Sequence, residues 1–223
     1  MKPTLMHCAF YVALAVLGWE SPSMAQDRLP AIAPAQMSAT QQKVADAIIK
    51  GPRGALYGPF IPLLRSPELM DRSQKVGEYL RYNSAIGNTL SELVILITAR
   101  QWTQQVEWAL HEPVALKAGI KPETIAALAA GRRPPALSND EAIVYDFCTE
   151  LHANKSISDA TWARAVTRFG EQGVVDMLGI NGYYTFLAMI MNGARTAVPD
   201  GKPAPLKPLA PSSVQTPGSS SSK

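Results

Sequence analysis

Glutamate, arginine and histidine side chains are spaced through the apolar stretch 92–111, and their types suit acid–base and anion-binding chemistry. If this stretch forms one helix, each residue advances by about 100°. Glu107, Arg100, His111 and Gln104 then lie at about 60°, 80°, 100° and 120° from Glu92. The other positions are mainly apolar, so such a helix should be largely buried, where charges are costly unless they are paired. The sequence therefore predicts a candidate site on this helix.

Each of these side chains also has an ordinary structural interpretation. Glu92 is the third residue after Thr89, which is where the glutamate of a helix capping box lies. Glu107 and His111 are four residues apart and could be a common pair on a helix surface, and the arginine and the glutamine share that spacing. The residues alone leave the structural and the functional interpretation open.

The elements that must position these side chains are predicted to be helices. Prolines at first helical positions and capping residues mark the helix starts at Pro67, Thr89, Pro122, Ser138 and Ser158. The predicted helices cover residues 40–50, 67–82, 89–110, 122–131, 138–152, 161–170 and 171–191, with Pro113 kinking the third or starting a new one. No segment alternates apolar and polar residues as a strand would, so the predicted fold class is all-α, with one helical domain.

A loop rich in glycine and proline, GPRGALYGPFIP, follows the first predicted helix and carries Arg53. It could be an anion-binding turn or a simple connector between helices.

The two ends of the chain differ in composition from its middle. Residues 1–25 combine a basic start, a short apolar run and the small residues Ser23 and Ala25, which is typical of a secretory signal peptide. The run is shorter than the roughly 20 residues of a membrane-spanning helix, and no later run is long enough, so we expect a soluble mature protein. Residues 26–38 are predicted to be a linker, 39–198 the helical domain, and 199–223 a disordered tail rich in proline and serine.

Charge and cysteine content exclude several classes of function. The net charge is +3 and the basic residues are scattered, which argues against nucleic-acid binding. Cys148 is the single cysteine after residue 25, so stability must come from the core or from homo-oligomerisation. His152 is the one other histidine there, too few for a zinc site built around Glu107 and His111. With no phosphate-binding loop either, we expect neither metal nor cofactor.

The block SELVILITARQWTQQVEWALHEPVALKAGIKPETIAALAAG resembles the core motif of the carboxymuconolactone decarboxylase and alkylhydroperoxidase D-like superfamily. In that motif an acidic residue opens an apolar helix, an Ala-Arg step follows, and a helix-borne histidine precedes Ala-x-x-x-Ala-Gly. Glu92 and His111 fall on the family's acidic and histidine positions. The peroxidase branch has Cys-x-x-Cys before that histidine, and here those two positions are Gln104 and Glu107. Without two thiols, thiol peroxidase activity is not expected.

The resemblance implies a cofactor-independent lyase that decarboxylates a small carboxylated lactone or a related organic acid, and a homo-oligomeric assembly. On that expectation His111 is the proton donor, Glu107 orients its ring, and Glu92 is a second acid or base. Arg100, with Gln104 one turn away, is the first choice to bind the substrate's carboxylates, and Arg53 is the second. The alternative is a ligand-binding or structural member of the family whose polar side chains form an internal hydrogen-bond network.

The apolar run and the small residues before position 26 predict cleavage and export to the periplasm or the medium. The exported protein should begin at Gln26. N-terminal sequencing of the secreted or periplasmic fraction tests this. A cytoplasmic protein that still carries Met1 would contradict it.

Overall fold

The computed structural model of the chain describes residues 27–209, and within them it is all-helical, without a strand. This confirms the predicted all-α class. The helices are α1 (Ala39–Lys50), α2 (Phe60–Leu63), α3 (Pro67–Tyr82), α4 (Gly87–Gln101), α5 (Gln105–Lys117), α6 (Pro122–Ala129), α7 (Asn139–Asn154) and α8 (Asp159–Ala194). The signal-peptide prediction falls on residues outside the described range.

Several helices begin where the sequence places their start signals. Pro67 and Pro122 occupy first-turn positions of α3 and α6, where the missing amide proton is not needed. Ser138 caps α7 and forms a capping box with Glu141, as predicted. Ser158 caps α8 by accepting a hydrogen bond from the Thr161 amide.

The predicted single helix through residues 92–111 is wrong, because the chain turns back between α4 and α5. Thr103 adopts a left-handed backbone conformation with φ 46°, which ends the helical path after Gln101. Gln104 then caps α5, its side-chain oxygen accepting a hydrogen bond from the Glu107 amide at 2.9 Å. Pro113 lies inside α5 and does not end it. The apolar stretch is therefore a pair of helices joined by a tight turn.

The predicted start of this stretch at a Thr89 capping box is also wrong. Helix α4 begins at Gly87, so Thr89 already lies inside it and its hydroxyl donates to the Ala118 carbonyl at 2.7 Å. Glu92 consequently has no capping role and lies in the buried part of α4.

Helix α4 is the centre of the domain. All its residues from Ser91 to Arg100 are buried, because α3, α5, α6, α7 and α8 pack around it. A helix enclosed on every side has no solvated face for charges, so each polar group on it needs a partner inside the protein.

Helix α8 is interrupted at Gly170, whose backbone has φ 69° and ψ 172°. Glycine tolerates this conformation, and the break agrees with the predicted boundary between residues 170 and 171. Among the described residues, Asp159–Ala194 alone is long and apolar enough to span a membrane, and 56% of its most apolar window is buried within the fold.

The predicted disordered tail does not start at residue 199, since the chain at Leu206 and Lys207 contacts the domain. The Leu206 side chain is 3% exposed, and Gln105 exchanges two hydrogen bonds with its backbone, at 2.8 and 2.9 Å. Arg100 donates to the Lys207 carbonyl at 2.9 Å. At the other end, the Arg28 amide of the predicted linker donates to the Ala194 carbonyl. Composition did not reveal these contacts, and residues 210–223 lie outside the described range.

Two leucines of the C-terminal segment provide a matched pair for testing its docking. Leu206 is 3% exposed and Leu209 is 42% exposed. Leu206→Ala should lower the free energy of unfolding by about 2 kcal/mol or more, whereas Leu209→Ala should cost well under that. Urea denaturation of both variants measures the difference. Equal, small losses would show that the segment does not contribute to the folded domain.

Candidate active site

His111 lies between two carboxylates. Its Nδ1 atom is 2.6 Å from Glu92 Oε2, and its Nε2 atom is 3.2 Å from Glu107 Oε1. Glu107 is one turn away on α5, but Glu92 comes from α4. On one continuous helix Glu92 and His111 would be about 28 Å apart along the axis. The turn at residues 102–104 is what brings them into contact, so the three residues predicted to carry chemistry do converge, through a different geometry.

All three members of this Glu92–His111–Glu107 cluster are buried, with exposures of 0%, 4% and 2% in that order. Burial alone would lower the pKa of His111, but the charge of Glu92 and the hydrogen bonds to both carboxylates outweigh it and raise this pKa. A neutral imidazole carries one N–H and could donate to one carboxylate only. The geometry therefore fits an imidazolium that donates from both ring nitrogens.

Two neighbours of the cluster were missed by the sequence analysis. The Nε atom of Arg81, on α3, is 3.7 Å from Glu92 Oε1. The Tyr184 ring, on α8, meets the His111 ring edge to face with centroids 5.3 Å apart. Arg81 carries no motif or spacing signal, and Tyr184 lies in the largely apolar stretch 183–191, which is typical of a core helix. Both reach the cluster from helices far away in sequence, so spacing within one segment could not reveal them.

Arg53 is the one predicted substrate-binding residue that lies near the cluster. It lines a cavity of about 20 Å³ together with His111, Glu107 and Tyr184. Its guanidinium lies 4.8 Å from the centroid of the Phe60 ring. A cavity of this size holds about one water molecule, which leaves no room for an organic substrate behind the imidazole.

Arg100 and Gln104 do not join the cluster, which corrects their predicted place beside His111. Arg100 lies at the far end of α4 and donates to Lys207, while Gln104 caps α5 and donates to Asn192 Oδ1 at 3.1 Å. The prediction placed both residues on the same face of one continuous helix as His111. The turn after α4 divides this stretch into two helices, so that shared face does not exist. Arg100 instead helps to hold the C-terminal segment.

The remaining cysteine and histidine lie elsewhere in the fold. Cys148 is fully buried, accepts a hydrogen bond from Asn181 Nδ2 at 3.3 Å, and has its pKa raised to about 12 by burial. Its thiolate is therefore scarce near neutral pH. His152 is in the last turn of α7, where burial lowers its pKa. Within residues 27–209 no group of three or more histidine, cysteine, aspartate or glutamate side chains is arranged to hold a metal ion.

The raised pKa of His111 makes stability depend on pH. Its contribution is complete below the unfolded pKa of about 6.5 and is lost as pH rises through the higher folded pKa. Above about pH 6.5 the free energy of unfolding should fall relative to His111→Gln, by up to about 1.4 kcal/mol per pH unit. Urea unfolding between pH 6 and 9 measures this.

The other histidine provides the control for that experiment. The pKa of His152 is lowered by burial, so its titration affects stability below about pH 6.5 and in the opposite direction. His152→Gln should keep the loss above pH 6.5. Identical pH dependence in wild type and His111→Gln would contradict a protonated His111.

Comparison with known proteins does not assign the chain to a family. No family model and no curated protein matches the chain.

Proposed function

We propose that the protein is a cofactor-independent lyase of the carboxymuconolactone decarboxylase kind, acting on a small carboxylated lactone or a related organic acid. The observation that carries the proposal is the buried His111 imidazole between Glu92 and Glu107. Its pKa is raised by the charge of Glu92 and the hydrogen bonds to both carboxylates, which favours the protonated form that a proton donor needs.

Decarboxylation of an activated acid needs a proton but no external electron carrier. The bond between the substrate carbon and its carboxylate breaks, carbon dioxide leaves, and the electron pair is delocalised into the conjugated acid or lactone. The carbanion then takes one proton, and the cluster recovers that proton from solvent. The enzyme's task is to hold the acid and to supply the proton, and an imidazolium poised between two carboxylates suits the second part of it.

Export and self-association belong to the same proposal. Export is supported by the layout of residues 1–25. Association into homo-oligomers is supported by large apolar side chains on the surfaces of α3 and α8, where Val76, Val175 and Met189 are 52%, 60% and 54% exposed.

A second candidate is a ligand-binding or structural protein whose polar cluster only stabilises the fold. Complete burial of Glu92, and a cavity behind His111 that has room for about one water molecule, favour this interpretation. The two candidates differ in whether a substitution at His111 should lower turnover or stability.

His111→Gln separates the two candidates, because the amide occupies similar space and still forms hydrogen bonds but cannot donate a proton near neutral pH. For the lyase, kcat should fall by roughly two to four orders of magnitude while the fold is retained. For the structural alternative, the change should cost about 1–3 kcal/mol of stability and leave ligand binding unaltered. Melting temperature and decarboxylation of carboxymuconolactone and related lactone acids are the two measurements.

His152→Gln is the matched control, since it replaces a histidine outside the cluster and should leave kcat unchanged. If the wild type turns over none of these acids, the lyase proposal fails. If His111→Gln turns over as fast as the wild type, His111 is not the proton donor.

A further inference from the structure

We infer that a small organic acid binds in a basic cavity outside Glu92, where the end of α3, the start of α4 and the end of α5 meet. The inference rests on the proposed function and assigns its substrate site. The cavity measures about 450 Å³, and its lining includes Arg81, Asn88, Glu92, Val114 and Lys117. It is thus a second cavity that reaches the cluster, on the Glu92 side of the imidazole.

Size favours this cavity over the one behind His111. The inner cavity, beside Glu107 and Arg53, is about 20 Å³ and holds about one water molecule. The outer one, at about 450 Å³, falls within the range of roughly 300–1,000 Å³ that is typical of small-molecule sites. The substrate therefore approaches the cluster from the Glu92 side.

The charge of the outer cavity favours an anion. Arg81 is 13% exposed at its side chain and lies over the Tyr82 ring, with its guanidinium carbon 5.3 Å from the ring centroid. Lys117 is exposed and forms no salt bridge with the residues that the structure describes. Glu92 is the acid in this lining, and its charge is matched by the His111 imidazolium. Lys117 therefore remains for a carboxylate ligand, and Arg81, which also faces Glu92 Oε1 at 3.7 Å, lines the same cavity.

One wall of the cavity can receive the carbon skeleton of such a ligand. Val114 and Ala118 are four residues apart, at the end of α5, and both line the cavity with Tyr82. Asn88 offers an amide that can donate to a carbonyl or ring oxygen. Apolar surface beside a few polar groups is the usual composition of an organic-acid site.

The position of the cavity gives Glu92 and His111 different tasks. Glu92 lines the cavity, and its Oε1 atom lacks a hydrogen-bond partner among the described residues. It is therefore the member of the cluster that lies next to the bound acid, separated from the inner cavity by His111. Because Glu92 is a carboxylate, it first takes a proton from His111 Nδ1, 2.6 Å from Glu92 Oε2, and then passes that proton to the carbanion. His111 regains a proton from solvent, so each turnover consumes one proton.

Lys117→Gln tests the site with little risk to the fold, because this lysine is exposed, and the exposed Lys121→Gln is the matched control outside the cavity. The probes are succinate, which has no activated carboxylate to lose, and succinamide, its uncharged analogue. By isothermal titration calorimetry, succinate should bind the wild type and Lys121→Gln alike. Lys117→Gln should weaken binding about tenfold, which corresponds to the loss of one charge-assisted hydrogen bond. Added salt should also weaken binding, and succinamide should not bind.

Three results would overturn the site. The first is equal succinate affinity in Lys117→Gln and Lys121→Gln, and the second is binding of succinamide as tight as that of succinate. The third is weaker succinate binding in Arg53→Gln together with unchanged binding in Lys117→Gln. The third would place the ligand behind His111 instead. Kinetics with lactone acids distinguishes the two proposals. Succinate binding that depends on Lys117, without turnover of any lactone acid, would contradict the lyase proposal and support the proposed binding site. Turnover by the wild type with an unchanged KM in Lys117→Gln would support the lyase proposal and contradict the proposed binding site.

Discussion

The central constraint on this domain is the burial of a carboxylate in the middle of its core helix. Glu92 is 0% exposed on α4, which other helices enclose on every side. An unpaired charge there would cost several kcal/mol, so partners must be supplied from other elements. His111 supplies one from α5 and Arg81 another from α3. The packing of these helices around α4 is thus tied to pairing this one charge.

The turn between α4 and α5 is the local feature on which that pairing depends. A left-handed residue, Thr103, ends one helix and Gln104 starts the next, so the chain returns along α4 with His111 level with Glu92. At the far end of the pair, Thr89 donates to Ala118 and fixes the two helices in register. A slip of one residue in α5 would rotate His111 by about 100° away from the carboxylate.

Much of the fold could be predicted from local signals, because a start signal such as Ser138 acts on its own first turn. The turn at Thr103 could not, since no glycine or proline marks it and the apolar pattern runs on through it. Only part of the candidate site could be predicted, because local signals do not report contacts between distant segments. Residue types identified Glu92 and His111, but Arg81 comes from a distant helix without any spacing signal. Contacts between distant segments depend on packing, which one sequence does not display.

The imidazole divides the cluster into two sides with different surroundings. Nδ1 faces Glu92, which lines the larger, basic cavity, whereas Nε2 faces Glu107, which lines the cavity of about 20 Å³. On the proposed mechanism a proton leaves toward the substrate on the first side and is replaced on the second, where about one water molecule fits. Such separation lets the histidine be reprotonated without displacing the bound substrate. Burial of the cluster, which favours a structural interpretation when considered alone, is also what a proton donor between two compartments requires.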